Sequence, residues 1–116
     1  MSLLDIFKKK NTLEMVHTHN MGGCIVTKSV LEGKSSIKWL FREQGVNQVD
    51  NGWRVIGDTD TQEYIDDSSN SVVVDFDRLV EIEPAVLSVY DMPVGSDLEF
   101  VSEGRYFIDT KTGNRI

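Results

Sequence analysis

The sequence predicts an α+β fold: a mostly antiparallel sheet with two or three short helices packed on one side. Three observations predict it. Short runs rich in Val, Ile, Thr, Trp and Phe read as strands. Glycine, asparagine and proline signals punctuate those runs. Helical patterns fall among the strands without the regular strand–helix alternation that a doubly wound parallel sheet requires.

Taken in order, Ser2 is placed to cap a short helix over 3–10, with Leu3, Leu4, Ile6 and Phe7 on one side and Lys8, Lys9 and Lys10 beyond. His-Thr-His-Asn-Met-Gly-Gly, residues 17–23, is a loop ending at paired glycines. Residues 1–21 are thus a helix and loop, part of or appended to a single domain over 22–116. A strand is expected over 24–30 on the β-branched residues Ile25, Val26, Thr27 and Val30. After a turn at Glu32-Gly33-Lys34-Ser35, Ile37, Trp39 and Phe41 alternate with Lys38 and Arg42. Leu40 breaks that alternation, which implies a strand over 37–42 with parts of both faces covered.

Val49-Asp50-Asn51-Gly52 supplies a tight turn, because Asn-Gly adopts positive φ readily, and a short strand follows over 53–56. Thr59 or Asp60 begins a helix through Tyr64 to Asp66, with Thr59 and Gln62 at capping-box spacing. Ser68-Ser69-Asn70-Ser71 is a loop, and 72–76 is a buried strand. Asp75 or Asp77 caps a helix over 78–82, which Pro84 breaks before starting a further turn through Tyr90. Pro93-Val94-Gly95 turns the chain, strands over 98–101 and 106–108 flank Gly104, and Lys111-Thr112-Gly113-Asn114 makes the last turn.

With 116 residues, 40% of them hydrophobic, the chain can bury one core without disulfides or a structural metal. Its single cysteine, Cys24, has no intrachain partner, which points to a reducing compartment. No stretch approaches the ~20 apolar residues of a membrane span. The opening MSLLDIFKKK places its apolar run before its lysines, the reverse of a secretory signal. The expectation is a cytoplasmic protein that does not engage membranes.

Charge is unevenly distributed. Residues 1–57 carry eight Lys/Arg and five Asp/Glu, whereas residues 58–103 carry thirteen Asp/Glu and only Arg78. Residues 104–116 carry three basic residues and one acidic residue, for a net charge of −7 over the chain. An acidic segment gathered on one face repels nucleic acid and attracts a basic protein partner. The bland reading of the same residues is a solubilising surface.

Individual motifs point to no catalytic centre and no cofactor. His17 and His19, two apart, face the same way on a strand and suit a metal, but they occupy a polar loop without a second ligand cluster. Cys24, in Gly-Gly-Cys-Ile-Val, looks like entry to a buried strand and not like an activated nucleophile. Gly33-Lys34-Ser35 is only a fragment of a phosphate-binding loop. Asp75 with Asp77, and Glu81 with Glu83, are spaced for acid–base work, but they more simply cap and coat a helix.

Asp50-Asn51-Gly52-Trp53-Arg54 is the most distinctive cluster. Its structural reading is a hairpin whose tryptophan enters the core while Arg54 pairs with a carboxylate. Its functional readings are two. Trp53 and Arg54 join Asp58, Asp60, Glu63, Tyr64, Asp66 and Asp67 in a partner-binding surface, with Tyr64, Tyr90 or Trp53 as aromatic anchor. Alternatively, Trp53 and Arg54 line the pocket of a small-molecule-binding or regulatory module.

The ordered motifs Cys24-Ile25-Val26-Thr27-Lys28, Ile37-Lys38-Trp39-Leu40-Phe41-Arg42-Glu43, Asp50-Asn51-Gly52-Trp53-Arg54, Glu81-Ile82-Glu83-Pro84-Ala85 and Met92-Pro93-Val94-Gly95-Ser96 together resemble the immunity protein 33-like family. The resemblance covers about residues 22–101. In the family pattern the Gly-Trp-Arg stretch is followed by a Gly-Asp/Glu pair, and Gly57-Asp58 sits close to it. Membership implies a small cytoplasmic bacterial protein, with some relatives assigned as antidotes to toxins; the expectation is a non-enzymatic protein that binds and neutralises a toxin through its acidic surface. The resemblance supplies no catalytic or cofactor residues.

Overall fold

A computed structural model describes residues 21–116, so the helix expected over 3–10 and the loop holding His17 and His19 lie outside the described residues. Six strands form one sheet: β1 Gly23–Thr27, β2 Ile37–Arg42, β3 Asp50–Gly57, β4 Ser71–Asp75, β5 Asp97–Val101 and β6 Tyr106–Asp109, in the order β4-β1-β3-β2-β5-β6. Only β1 and β3 pair in parallel; the other neighbours are antiparallel. Among the described residues the helices are α1 Lys28–Leu31, α2 Gln62–Asp66 and α3 Phe76–Ile82, with 3-10 turns at Ser68–Asn70 and Pro84–Val89. The α+β class and the mostly antiparallel sheet agree with the sequence.

One face of the sheet makes the core. Cys24 and Val26 of β1, Leu40 of β2, Trp53 and Val55 of β3, Leu98 and Phe100 of β5 and Phe107 of β6 cluster there. Val30, Phe76, Leu79, Val86 and Val89 cover them from α1, α3 and the second 3-10 turn. Each fully buried aliphatic side chain contributes roughly 1.5–3 kcal/mol. Helix α2 buries no side chain. On the other face, among the described residues, Val46 and Val49 from the β2–β3 connection pack on Ile25 and Val73 at the β4-β1-β3 end.

Three local expectations differ from the structure. The strand expected over 24–30 ends at Thr27, where α1 begins. The Ser29 carbonyl accepts from the backbone N–H groups of Lys34 and Ser35 and curls the chain, which turns Val30 into the core at 3% exposure. In β2, an irregularity in pairing between Ile37 and Trp39 inverts the simple alternation. Ile37 and Leu40 are the core residues, and Trp39 faces outward at 37% exposure.

The third difference is at Asn51-Gly52, which lies within β3 and not at the hairpin turn. Residues 43–49 make the reversal, held by Asn47 Oδ1 accepting from the N–H groups of Val49 and Asp50. Gly52 has φ +89°, and a Cβ there would stand 2.1 Å from the Glu43 carbonyl oxygen, which only glycine avoids.

Cys24 is fully buried on β1, an interior strand, and burial pushes its thiol far above the ordinary range. The protonated, covered thiol is a poor nucleophile. At pH 8 a disulfide reagent therefore labels Cys24 at the rate of global opening, and addition of denaturant speeds labelling by several orders of magnitude. Rapid labelling of the native protein is the contrary result.

Candidate functional site

The distinctive Asp50–Arg54 cluster folds into a buried ionic knot. Arg54 has 0% exposure and Asp50 6%. Arg54 Nη1 donates to Asp50 Oδ1 and Nη2 to Asp50 Oδ2, each at 2.9 Å, while Nε donates to Glu43 Oε2 at 2.8 Å. The two Asp50 oxygens also accept from the backbone N–H groups of Gly52 and Val46. The planar guanidinium matches the carboxylate fork, so both charges are satisfied without water. Burial alone would lower the Arg54 pKa; hydrogen bonding and charge from Asp50, then Glu43, more than offset it and hold the value above its ordinary level.

A second set of bonds locks the neighbouring motifs onto this knot. Trp53 is sealed in the core, and its indole Nε1 donates to the Tyr90 carbonyl at 3.0 Å. Arg42 lies over the Trp53 ring at 5.6 Å, and it donates through Nε to Asn51 O and through Nη1 to Met92 O. The backbone of Arg42 exchanges bonds with Gly95 and Ser96. Tyr90 Oη and Asn51 Nδ2 both donate to Met21 O. Segments distant in sequence thus meet at one end of the sheet.

This geometry corrects the functional reading of Trp53 and Arg54. Neither presents surface to a partner, and neither lines a pocket, because both are fully enclosed by protein. The tryptophan's apolar area and the guanidinium's hydrogen-bonding capacity are consumed inside the fold. Recesses of about 230 and 260 Å³ adjoin at the Ser36–Ile37 and Phe100–Ser102 edge, away from both residues. Among the described residues no cluster of three or more His, Cys, Asp or Glu is placed to hold a metal. Asp75, at the N-cap position of α3, makes no side-chain cap bond.

The other candidate residues follow β3 directly. Asp58 is exposed, and its Oδ1 accepts from Ser35 Oγ and the Ser36 N–H. Asp60 is half-buried and structural: it accepts from Ser29 Oγ at 2.5 Å and from the Gly57 N–H at 2.7 Å. With Asp60 so engaged, the cap of α2 is Thr61, whose Oγ1 accepts from the Tyr64 N–H. A Cβ on Gly57 would fall 1.9 Å from Ser35 Oγ, so the Gly57-Asp58 pair keeps this turn closed.

Glu63, Asp66 and Asp67 are exposed on α2 and just beyond it, and Tyr64 is half-buried. Asp67 accepts from the Ser69 hydroxyl and N–H, which holds its pKa below the ordinary value. The remaining carboxylates of the acidic segment are spread over other elements, and several act inside the fold. Glu83 accepts from the Ala85 N–H and from Arg105, Glu81 pairs with Arg78, and Glu99 pairs with Lys38.

Among the described residues no helix is long and apolar enough to cross a membrane. A family model described as "Immunity protein Imm33 domain" matches residues 24–110. No curated protein and no solved structure matches the chain.

Removing one partner of a buried pair strands the other charge, at about 3–5 kcal/mol. Asp50→Ala and Arg54→Ala each therefore lower the urea unfolding free energy by about that amount, and the double variant loses less than the sum. Arg54→Lys fails to restore stability because a single ammonium cannot serve Asp50 and Glu43 in the same geometry.

Proposed function

We propose that this chain, which belongs to the immunity protein Imm33 domain family, is a non-enzymatic cytoplasmic protein that binds a toxin with a basic surface and blocks it. The observation that carries this reading is the local field of the segment after β3. Asp58, Glu63, Asp66 and Asp67 are exposed there, and no Lys or Arg occurs between residues 58 and 77. Closely spaced carboxylates, of which Asp67 feels the nearby charge of Lys28, raise the encounter rate with a cationic partner, such as an enzyme whose substrate is a polyanion. Two of them, Glu63 and Asp66, lie on α2, which contributes no side chain to the core, so that helix can serve an interface without loss of packing.

The test is kinetic, with the purified cognate toxin. The triple variant Glu63→Lys/Asp66→Lys/Asp67→Lys lowers the association rate constant by about tenfold or more at low salt and leaves the dissociation rate nearly unchanged. Raising ionic strength from about 0.05 to 0.5 M slows association of the parent chain and has much less effect on the variant. Equal association rates for the two chains at low salt would overturn the electrostatic role of α2.

A further inference from the structure

We infer that the half of the outer sheet face left uncovered among the described residues, on β2, β3, β5 and β6, is the anchoring surface for a protein partner that presents apolar side chains bordered by Lys or Arg; this rests on the binding reading above. Cross-strand register fixes which side chains share that face. Trp39 pairs with Ile56 on β3 and Glu99 on β5, Phe41 pairs with Asp97, Glu99 with Ile108, and Val101 with Tyr106. The alternate residues, Leu40, Leu98, Phe100 and Phe107, point to the core.

A sheet face left to solvent ordinarily alternates to polar residues. This one instead carries Trp39, Phe41, Ile56, Val101, Tyr106 and Ile108. None of the six packs against either buried cluster, and Trp39 is 37% exposed. Among the described residues the Val46 and Val49 cover lies on Ile25 and Val73, at the β4-β1-β3 end. Apolar side chains in this number on an outward sheet face, set on either side of the Asp97 and Glu99 carboxylates of β5, mark an interaction surface.

Charge selects the occupant. Asp97, exposed, and Glu99 stand on the same face beside Phe41 and Trp39, and Glu103 is exposed in the turn after β5. Lys38 meets Glu99 at 2.6 Å and lies over the Trp39 ring at 5.5 Å, which already places one cation against this aromatic surface. Arg115 lies over Tyr106 at 4.0 Å in the same manner. A second copy of the chain would bring a further net charge of −7 toward this acidic border, which long-range repulsion disfavours. A partner with an apolar patch and a basic rim instead meets Trp39 as anchor and Asp97 and Glu103 as border. This face holds the complex together, whereas the carboxylates of α2 speed its formation.

The experiment uses the full chain and its purified cognate toxin. The chain has two tryptophans, and Trp53 is buried, so 5-fluorotryptophan labelling gives one solvent-exposed resonance from Trp39. Adding unlabelled toxin shifts that resonance and removes its sensitivity to a soluble paramagnet. Trp39→Ser raises the dissociation rate by about 30-fold or more, the size expected of an anchor residue, with association little changed. Asp97→Lys weakens binding, and Leu87→Ser, exposed elsewhere, leaves it unaltered. A complex that forms with the Trp39 resonance unmoved overturns this surface and leaves the binding reading standing. Absence of any complex overturns both. Self-association of the parent chain that Trp39→Ser abolishes assigns the face to a second copy and overturns the proposal.

Discussion

Arg54 carries a positive charge at a position with no solvent exposure, and the fold is arranged so that this charge is never alone. Asp50 answers it with both oxygens, Glu43 takes the remaining Nε proton, and the Val46 and Gly52 backbone groups complete the Asp50 shell. The constraint propagates outward. To reach Arg54 the β2–β3 connection must cross the outer face of the sheet, and in crossing it Val46 and Val49 seal Ile25 and Val73. Gly52 must be glycine so that Glu43 can approach the strand. A charged pair of this kind is weak evidence for stability as such, because burying it costs several kcal/mol per ion. Its value here is geometric: one register of β3 satisfies every donor, and a slipped register leaves charges stranded.

The β-rich character, the helix before Pro84 and the late turns were legible because local chemistry decides them. Pro84 opens a 3-10 turn, Gly95 and Gly113 take positive φ, and β5 and β6 pair across the turn that holds Gly104. Elements governed by distant partners were not legible. Val30 is β-branched and reads as strand, but Ser29 is engaged by Asp60, thirty-one residues away, and the chain curls at that point. Trp39 and Leu40 exchange roles because an irregularity in the β2–β3 ladder shifts which side chains face the core, and composition carries no mark of it.

The candidate site divides along the same line. The pairing of Arg54 with a carboxylate and the entry of Trp53 into the core agree with the structural reading of that motif, and the surface role proposed for the pair does not. The acidic residues looked equivalent in sequence. In three dimensions Asp60 and Glu83 are bonded into turns, Glu99 is matched by Lys38, and Glu63 stands free on a helix that has no core residue. The outward-facing apolar set was invisible beforehand because each of its residues suits a buried strand equally well. Only pairing register separates the six from their core-facing neighbours.

The placement of β1 sets a condition on how this chain comes into being. It lies between β3 and β4, neither of which has left the ribosome when β1 is first exposed, so Cys24, Ile25 and Val26 wait uncovered through synthesis of about fifty further residues. Closing such non-local pairings is slow relative to forming helices and hairpins. The β2–β3 hairpin and the β5–β6 hairpin are local enough to form early, whereas the β1–β3, β1–β4 and β2–β5 pairings join residues farther apart and close later. During that interval the apolar residues of nascent β1 have no native partner strand, which is the condition under which chaperone cover matters.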